Sequence, residues 1–300
     1  MGILQAVLGA MSLITAWFGY LFVKDYLANK EAEISKKTYT ANLGVGFATT
    51  FFDALGIGNF ATSTALFKIF GLCRDKKIPG TLNVGYTVTV VMEALIFITI
   101  IKVDVLTLLL LIASASIGAF LGAGIVSRLP EKKVQVGMGI ALLVAAFFML
   151  AGKFGWMPGG GEAIGLTGGK LIVGIVVNFI LGALMTLGIG LYAPCMALIY
   201  ALGMSPKVAF PIMMGSCAFL MPVAGFKFIK EGAYERKTAM ALTIAGIPAI
   251  IIAAYIVKSL PLSVLTWVII CVIIYTAIAM LRSAMKPVAI TEPAAIQEKA

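Results

Sequence analysis

Long apolar runs separated by short charged loops make up most of the chain. Runs with at most one charged residue cover positions 2–23, 38–67, 80–101, 105–127, 134–152, 171–206, 208–226, 238–257 and 262–281. A helix rises 1.5 Å per residue, so about 20 apolar residues cross the roughly 30 Å hydrocarbon core of a bilayer. The pattern therefore predicts an all-α polytopic membrane protein.

Two of these runs contain the same glycine-broken segment. Residues 55–72 read LGIGNFATSTALFKIFGL and residues 187–204 read LGIGLYAPCMALIYALGM, with eight identities in eighteen aligned positions. Each copy is a Gly-X-Gly break followed by a short apolar helix. Paired broken segments at corresponding places in two halves of a membrane protein point to the binding site of a secondary transporter.

The duplication extends beyond this motif. Gly85 aligns with Gly215, and residues 125–130 align with residues 256–261. Each half is therefore predicted to be a glycine-broken half-helix hairpin plus three transmembrane helices. Residues 2–23 lack a basic n-region and a cleavage site, so they are expected to be a retained helix and not a signal peptide. The predicted units are an N-terminal transmembrane helix (1–23), a first repeat (38–152), a linker (153–170), a second repeat (171–282) and a tail (283–300).

The basic residues predict how the chain is oriented. The uncharged run at 171–206 would be about 54 Å long as one helix, which suits a re-entrant hairpin or two short tilted crossings. Either choice groups the loops at 24–37, 73–79, 127–133, 227–237 and 282–300 on one side, with seventeen Lys and Arg against five on the other. The positive-inside rule then puts the N-terminus outside, the linker outside and the C-terminal tail in the cytoplasm. Three crossings per half make the two repeats inverted, as in alternating-access transporters of the cell inner membrane.

Composition narrows the function classes. The chain is 61% hydrophobic and 12% charged, so its net charge of +10 is attributed to the positive-inside bias and not to nucleic-acid binding. It has no histidine, and its four cysteines show no CxxC spacing. We therefore expect no metal and no cofactor. The expected partners are a small anion and the lipid bilayer, and a homo-oligomer is compatible with the sequence.

The glycine breaks predict an anion site. The N-terminus of each short helix carries free N–H groups and the positive end of the helix dipole, both of which attract anions. Pro194 suits the first position of the second short helix, where no N–H is needed. The alternative is that the glycines only permit close helix packing. The predicted substrate-binding residues are Gly56, Gly58, Asn59, Thr62, Ser63, Thr64, Gly188, Gly190, Tyr192, Pro194 and Cys195, together with Asn83, Tyr86 and Ser216, which lie shortly after the motifs.

Two carboxyl groups interrupt the apolar runs of the first half. Asp53 precedes the first break by three residues and Glu93 lies in the middle of the run at 80–101, whereas their aligned counterparts are Met185 and Val223. An ionised carboxylate inside a bilayer costs at least ~2.5 kcal/mol, so such residues usually line cavities or relay protons. We predict proton coupling through Glu93 and Asp53, the alternative being a carboxyl group that only joins two helices by a hydrogen bond.

The duplicated motif resembles the sulfite-exporter (TauE/SafE-type) family of secondary transporters. Residues 187–194 with Ala197, Leu198 and Gly203 carry the likeness, as do their first-half counterparts from Leu55 to Gly71. The first copy departs from the family pattern, because Thr62 stands where the second copy has Pro194. The resemblance implies transport of sulfur-containing anions such as sulfite or an organosulfonate like sulfoacetate, whereas the residues themselves indicate only a small anion.

These observations favour a non-enzymatic secondary transporter that works by alternating access. An anion channel of similar architecture is the first alternative. An intramembrane enzyme using Asp53 and Glu93 lacks any paired catalytic motif, and a purely structural scaffold would tolerate changes in the glycine breaks.

The predicted orientation can be tested by labelling. Single cysteines at Gly160 and Ser35, introduced into a background without accessible cysteines, should react from opposite sides of the membrane. Gly160→Cys should react with an impermeant thiol reagent from outside, and Ser35→Cys only after permeabilisation. Labelling of both positions from the same side would contradict the inverted topology.

Overall fold

Each apolar run of the sequence forms one helix or two helices separated by a break. The computed structural model describes residues 3–29, 34–54, 58–98, 102–156, 161–188, 190–256 and 262–285. The helices are α1 (Ile3–Ala28), α2 (Lys36–Asp53), α3 (Asn59–Phe70), α4 (Ile78–Gly85), α5 (Thr87–Ile98), α6 (Val105–Val126), α7 (Glu131–Lys153), α8 (Gly168–Met185), α9 (Tyr192–Ala201), α10 (Pro206–Lys230), α11 (Arg236–Ile256) and α12 (Leu262–Met285). The predicted tail lies outside the described residues from position 286 onward.

The outer surface of the helices is apolar. Six described helices, α1, α6, α7, α8, α10 and α11, are long and apolar enough to cross a membrane. On α6, Ile117, Leu121 and Ile125 are exposed at a spacing of four residues, which is one stripe of a helix. A soluble monomer rarely leaves apolar patches of this extent in water, whereas a bilayer solvates them. The predicted all-α polytopic membrane protein is therefore confirmed.

Hydrogen-bonded and ion-paired loops gather on one face of the bundle. Arg236 Nε donates to Asp25 Oδ2 over 2.7 Å, and Arg128 Nη2 donates to Glu231 Oε1 over 2.6 Å. Hydrogen bonds from Arg128 lower the pKa of the Glu231 carboxyl group. These contacts tie together loops that are distant in sequence. We call this side the basic face, which carries residues 24–29, 71–77, 127–130 and 231–235.

The other connections meet on a second face. The Asp104 N–H donates to the Ile164 carbonyl over 2.9 Å, and the Gly161 N–H donates to the Met204 carbonyl over 2.9 Å. Asp104 also begins α6, since its carboxylate accepts the Thr107 N–H over 2.8 Å. We call this side the opposite face, which carries residues 102–104, 161–167 and 202–205.

Helices of one half pack in parallel against helices of the other. In the pair α2 and α11, Asn42 Nδ2 donates to Thr238 Oγ1 over 3.1 Å, and one turn later Gly46 packs against Leu242. Both helices begin at the basic face. In the pair α6 and α8, Asn178 Nδ2 donates to the Leu111 carbonyl over 2.7 Å, and both helices begin at the opposite face.

Each broken segment is a hairpin that starts and ends on one face. The α2–α3 hairpin belongs to the basic face, where Lys68 near the end of α3 pairs with Asp75. The α8–α9 hairpin belongs to the opposite face, where Lys170 Nζ donates to the Leu202 carbonyl over 3.1 Å. With 18 residues each, α2 and α8 are about 27 Å long. That length suits either a re-entrant hairpin or two tilted crossings, so this choice and the inverted relation of the halves stay predictions.

Glycine allows the backbones of α6 and α8 to touch. A Cβ atom on Gly118 would lie 2.0 Å from the Phe179 carbonyl oxygen, and one on Gly182 would lie 2.1 Å from the Ala115 carbonyl oxygen. Real Cβ atoms never approach backbone this closely, so any side chain at these positions must push the helices apart. The spacing of α6 and α8 therefore depends on glycine.

We predict that Gly118→Ala lowers the apparent melting temperature in detergent. Forcing a methyl group into a well-packed interface typically costs about 1–3 kcal/mol. Gly124→Ala on the same helix is the matched control, because its Cβ atom would meet nothing within 4 Å. Replacing glycine by alanine in a helix without steric conflict adds about 0.5–1 kcal/mol of stability. Equal melting temperatures for the two variants would contradict the close contact.

Candidate functional site: two helix N-termini and a carboxyl pair

The two breaks lie where α3 and α9 begin. Gly58 caps α3 with a φ of 87°, and Gly188 precedes α9 with a φ of 98°. L side chains rarely adopt this left-handed region, so both positions favour glycine. Gly190 has nothing within 4 Å of a would-be Cβ atom, which leaves space beside the second break. Gly56 lies outside the described residues.

The second short helix begins earlier than the sequence indicates. α9 starts at Tyr192, so Pro194 is its third residue and not its first. Proline is tolerated at this third position too, because the first four N–H groups of a helix have no partner within that helix. The consequence is that Tyr192, and not Pro194, stands at the N-terminal end of α9.

Asp53 and Glu93 form a buried carboxyl pair. Asp53 is the last residue of α2 and is 2% exposed, and Glu93 on α5 is 1% exposed. The two carboxyl groups lie close enough to interact with each other electrostatically. Two ionised carboxylates at close range repel each other, and one bound proton relieves that repulsion.

The first residue of each short helix donates to this carboxyl pair. Asn59 Nδ2 at the start of α3 donates to Asp53 Oδ2 over 2.7 Å. The Tyr192 hydroxyl at the start of α9 donates to Glu93 Oε2 over 3.2 Å. Side chains from the N-terminal ends of both helices therefore meet at the carboxyl pair, one from each half of the chain.

A directed chain of hydroxyl groups braces the α2–α3 hairpin. Thr49 donates its proton to the Val45 carbonyl over 2.7 Å, so it accepts from the Tyr86 hydroxyl at 2.6 Å. Tyr86 in turn accepts from the Ser63 hydroxyl at 2.6 Å. Thr49 precedes Asp53 by one turn, and Ser63 follows Asn59 by one turn. This chain is therefore a second contact between α2 and α3, one turn from the carboxyl pair.

The other predicted hydroxyl groups of the first motif bond within α3. Thr62 Oγ1 donates to the Gly58 and Asn59 carbonyls at 3.0 Å, and Thr64 Oγ1 donates to the Phe60 carbonyl over 2.8 Å. The hydroxyl groups of Thr62 and Thr64 could donate a hydrogen bond to an anion only after breaking these bonds within α3. Among the predicted residues of α3, Asn59 and Ser63 have side chains that form hydrogen bonds with residues outside this helix.

The residues predicted after each motif lie in different surroundings. Tyr86, at the junction of α4 and α5, belongs to the hydroxyl chain. Asn83 donates to the Pro79 carbonyl over 2.8 Å, while its Oδ1 is buried without a partner in the described part of the chain. Ser216 accepts from Asn178 Nδ2 at 3.1 Å, between α10 and α8.

Sulfur atoms flank the carboxyl pair on the side of the second half. Cys195 on α9 and Cys217 on α10 are fully buried. Cys217 contacts Met185 at 3.7 Å between the sulfur atoms and lies close enough to Asp53 and Glu93 to interact with them electrostatically. Met185 is the aligned counterpart of Asp53, so the site has carboxylates from one half and soft apolar groups from the other.

Sequence reasoning identified both carboxyl groups and both helix N-termini but missed Thr49. The spacing could have indicated Thr49, because it precedes Asp53 by four residues and therefore lies on the same face of the helix. Tyr86 is among the predicted site residues, but its contact with Thr49 could not be predicted from sequence, because the two residues lie 37 positions apart.

We predict that Tyr86→Phe lowers the apparent melting temperature in detergent. The change removes two buried hydrogen bonds and leaves the Ser63 hydroxyl without its acceptor, at a cost of about 1–3 kcal/mol. Tyr275→Phe is the matched control, because the Tyr275 side chain is 65% exposed. A melting temperature for Tyr86→Phe that equals the control would show that the hydroxyl chain does not stabilise the hairpin.

Comparison with known proteins identifies the family. The sequence model described as Sulfite exporter TauE/SafE matches residues 1–149 and 171–299. Neither the curated proteins nor the solved structures gave a match. The matched segments cover nearly the whole chain and include both glycine breaks, Asp53, Glu93 and Tyr192. The chain therefore belongs to the sulfite exporter TauE/SafE family of membrane transporters.

Proposed function

We propose that this protein is a secondary transporter that moves a small sulfur-containing anion, sulfite or an organosulfonate, across the cell inner membrane by alternating access. The anion binds between the N-termini of α3 and α9. The carboxyl pair of Asp53 and Glu93 exchanges protons during the cycle. Family membership supports a sulfur anion as the cargo.

The observation that carries this proposal is the convergence of two helix N-termini on one buried position. Free N–H groups and helix dipoles stabilise negative charge there, and the breaks are tolerable inside a membrane only where they face protein, water or a ligand. The side chains that meet at this position, Asn59 and Tyr192, both bear donors. A tetrahedral or pyramidal oxyanion needs several donors arranged around it, which two converging helix ends supply.

The carboxyl pair links the anion to protons. An ionised carboxylate and a substrate anion compete for the same two helix termini, because both are stabilised by the same N–H groups. Protonation of the pair removes one negative charge and releases Asn59 and Tyr192 to donate to the substrate. Anion binding therefore favours proton uptake, and the two ions move together when the site changes sides.

The crosswise packing supports alternating access. The pairs α2–α11 and α6–α8 each join one half to the other, and they begin at opposite faces. A tilt of one half against the other would therefore loosen a pair leading to one face while keeping the second pair closed. Inverted repeats that rock about a central site work in this way.

We predict that Glu93→Gln keeps anion binding but uncouples transport from a pH gradient. Glutamine preserves the shape of the side chain and its contact with Tyr192 while removing the exchangeable proton. Asp53→Asn should act in the same direction. Flux of sulfite, sulfoacetate and a carboxylate of similar size is measured in proteoliposomes with and without a pH gradient, and binding is measured separately as thermal stabilisation in detergent. Glu162→Gln is the matched control, since Glu162 is exposed in the opposite-face loop.

Three outcomes would contradict the proposal. Full dependence on the pH gradient in both carboxyl variants would exclude proton exchange through the pair. Unsaturable flux that follows voltage alone would indicate a channel. Anion binding that survives a bulky residue at Gly58 or Gly190 would show that the glycine breaks only serve packing.

A further inference from the structure

The buried face of α2 that runs from the basic face to the carboxyl pair is mostly polar. Four of its six buried residues are polar, namely Asn42, Thr49, Thr50 and Asp53, and Val45 and Gly46 lie between the first two. The distance from Asn42 to Asp53 along the helix axis is about 16 Å. Helices inside a membrane protein normally bury apolar or small residues, so a row of polar groups over this distance requires an explanation.

Neighbouring helices extend this polar face. Thr238 on α11 accepts a hydrogen bond from Asn42, and Thr89 on α5 lies beside Thr50 at Gly246. A Cβ atom on Gly246 would lie 2.6 Å from Thr89 Cγ2 and 2.9 Å from Thr50 Oγ1, so both threonines pack directly against this glycine of α11. We call this set the polar seam, consisting of Asn42, Thr49, Thr50, Thr89 and Thr238.

The polar seam ends at an accessible carboxylate on the basic face. Thr238 Oγ1 donates to Glu235 Oε2 over 3.3 Å, and the Arg74 N–H donates to Glu235 Oε1 over 3.1 Å. The Glu235 side chain is 16% exposed, whereas Arg74 beside it is 81% exposed. A proton that reaches Glu235 is therefore one step from water.

Three of the five buried side-chain atoms without a hydrogen-bond partner in the described part of the chain lie along this route. Asn42 Oδ1, Thr50 Oγ1 and Glu93 Oε1 are buried and have no hydrogen-bond partner within the described ranges. A buried polar atom without a partner costs about 1–3 kcal/mol, so such atoms usually bind water or a transient ligand. The three atoms mark the start of the polar seam, its middle and the carboxyl pair.

The equivalent buried surface of α8 carries one polar residue, Asn178, which donates to the Leu111 carbonyl and to Ser216. Aligned on the motif, Asn42, Thr50 and Asp53 correspond to Gly174, Gly182 and Met185, which are buried on α8. There the helices meet by backbone contact, with a Cβ atom on Gly182 only 2.1 Å from the Ala115 carbonyl oxygen. The polar seam is therefore a feature of one half only and not a general consequence of the repeat.

The polar seam is closed in this structure. A Cβ atom on Gly46 would lie 2.7 Å from the Leu242 Cα atom, so the backbones of α2 and α11 touch between Asn42 and Thr50. A separation of α2 from α11 would let water bridge the hydroxyl groups on either side of this contact.

We propose that the polar seam is the proton path between the carboxyl pair and the basic face. The inference rests on the proposed function. The shared proton leaves Asp53 and Glu93 for a water molecule in the opened seam, the pair gains one negative charge, and the proton leaves as hydronium beside Glu235. The groups that face the pair are Asn59, Tyr192 and Cys217, with Tyr86 nearby, and none of them carries a positive charge that would replace the proton.

Infrared spectroscopy tests this path without a transport assay. A protonated buried carboxyl group gives a C=O stretching band that shifts when its proton is replaced by deuterium. The band removed by Glu93→Gln identifies the pair in the purified protein. After transfer to D₂O, the rate of the shift measures how quickly water reaches the pair.

We predict that Thr50→Val and Asn42→Leu each slow this exchange by about tenfold or more, which corresponds to about 1.4 kcal/mol in the exchange barrier. Thr→Val keeps the shape and removes the hydroxyl group, so it is the variant expected to fold normally. Thr186→Val is the matched control, because Thr186 is fully buried outside the polar seam and donates to the Ala183 carbonyl of its own helix.

The outcomes separate this path from the proposed function. The proposed proton path would be wrong if both seam variants exchanged at the wild-type rate. It would also be wrong if the control slowed exchange by the same amount. If sulfite still stabilised those same samples against heat, the proposed function would stand. If the seam variants slowed exchange but no sulfur anion stabilised the protein against heat, the proton path would be supported and the proposed substrate would be wrong. A spectrum without any band that Glu93→Gln removes would overturn both the path and the coupling role of the pair.

Discussion

The structure depends on burying two carboxyl groups at the ends of two broken helices. A break inside a bilayer leaves N–H groups without partners, and an ionised carboxylate inside a bilayer lacks water. The free N–H groups and the carboxyl groups stabilise each other when the carboxyl pair lies near the helix N-termini. Asn59 and Tyr192 join the two by direct hydrogen bonds. The glycine breaks and the acidic residues therefore form one structural unit.

This unit constrains how the halves can pack. α2 has to bring Asp53 to the break while keeping a polar face buried, and it does so by lying in parallel against α11, with Gly46 against Leu242. α8 lies in the same way against α6, where glycine contacts replace the polar groups. The two pairs share a geometry but differ in chemistry, which is how a duplicated chain can acquire a directional function.

Family membership agrees with this architecture and indicates that the transported substrates are sulfur-containing anions. The match to the sulfite exporter TauE/SafE family covers both halves. The polarity of the site is consistent with a small oxyanion, because the donors come from backbone and neutral side chains. Lysine and arginine are absent from the described surroundings of the carboxyl pair, so the proposed anion would depend on helix termini and on the protonation state of the pair.

The sequence by itself determined the helices, the duplication and the candidate chemistry. Apolar run lengths are set by the thickness of a bilayer, so the helix boundaries α1 (Ile3–Ala28), α6 (Val105–Val126) and α7 (Glu131–Lys153) follow closely from hydropathy. Glycine breaks and intramembrane carboxylates are rare enough to stand out without any structure. The aligned motifs also indicated that α3 and α9 would have equivalent roles.

Only the tertiary structure decided which of these groups meet. Asp53 and Glu93 lie 40 positions apart, and Tyr192 comes from the other half of the chain. Their contact depends on how α2, α5 and α9 cross, which hydropathy does not encode because all apolar faces look alike in sequence. The same holds for the hydroxyl chain through Tyr86 and for the pairing of α2 with α11. Helix formation is local and can be read from composition, whereas the positions of a few polar atoms depend on the packing of the whole bundle.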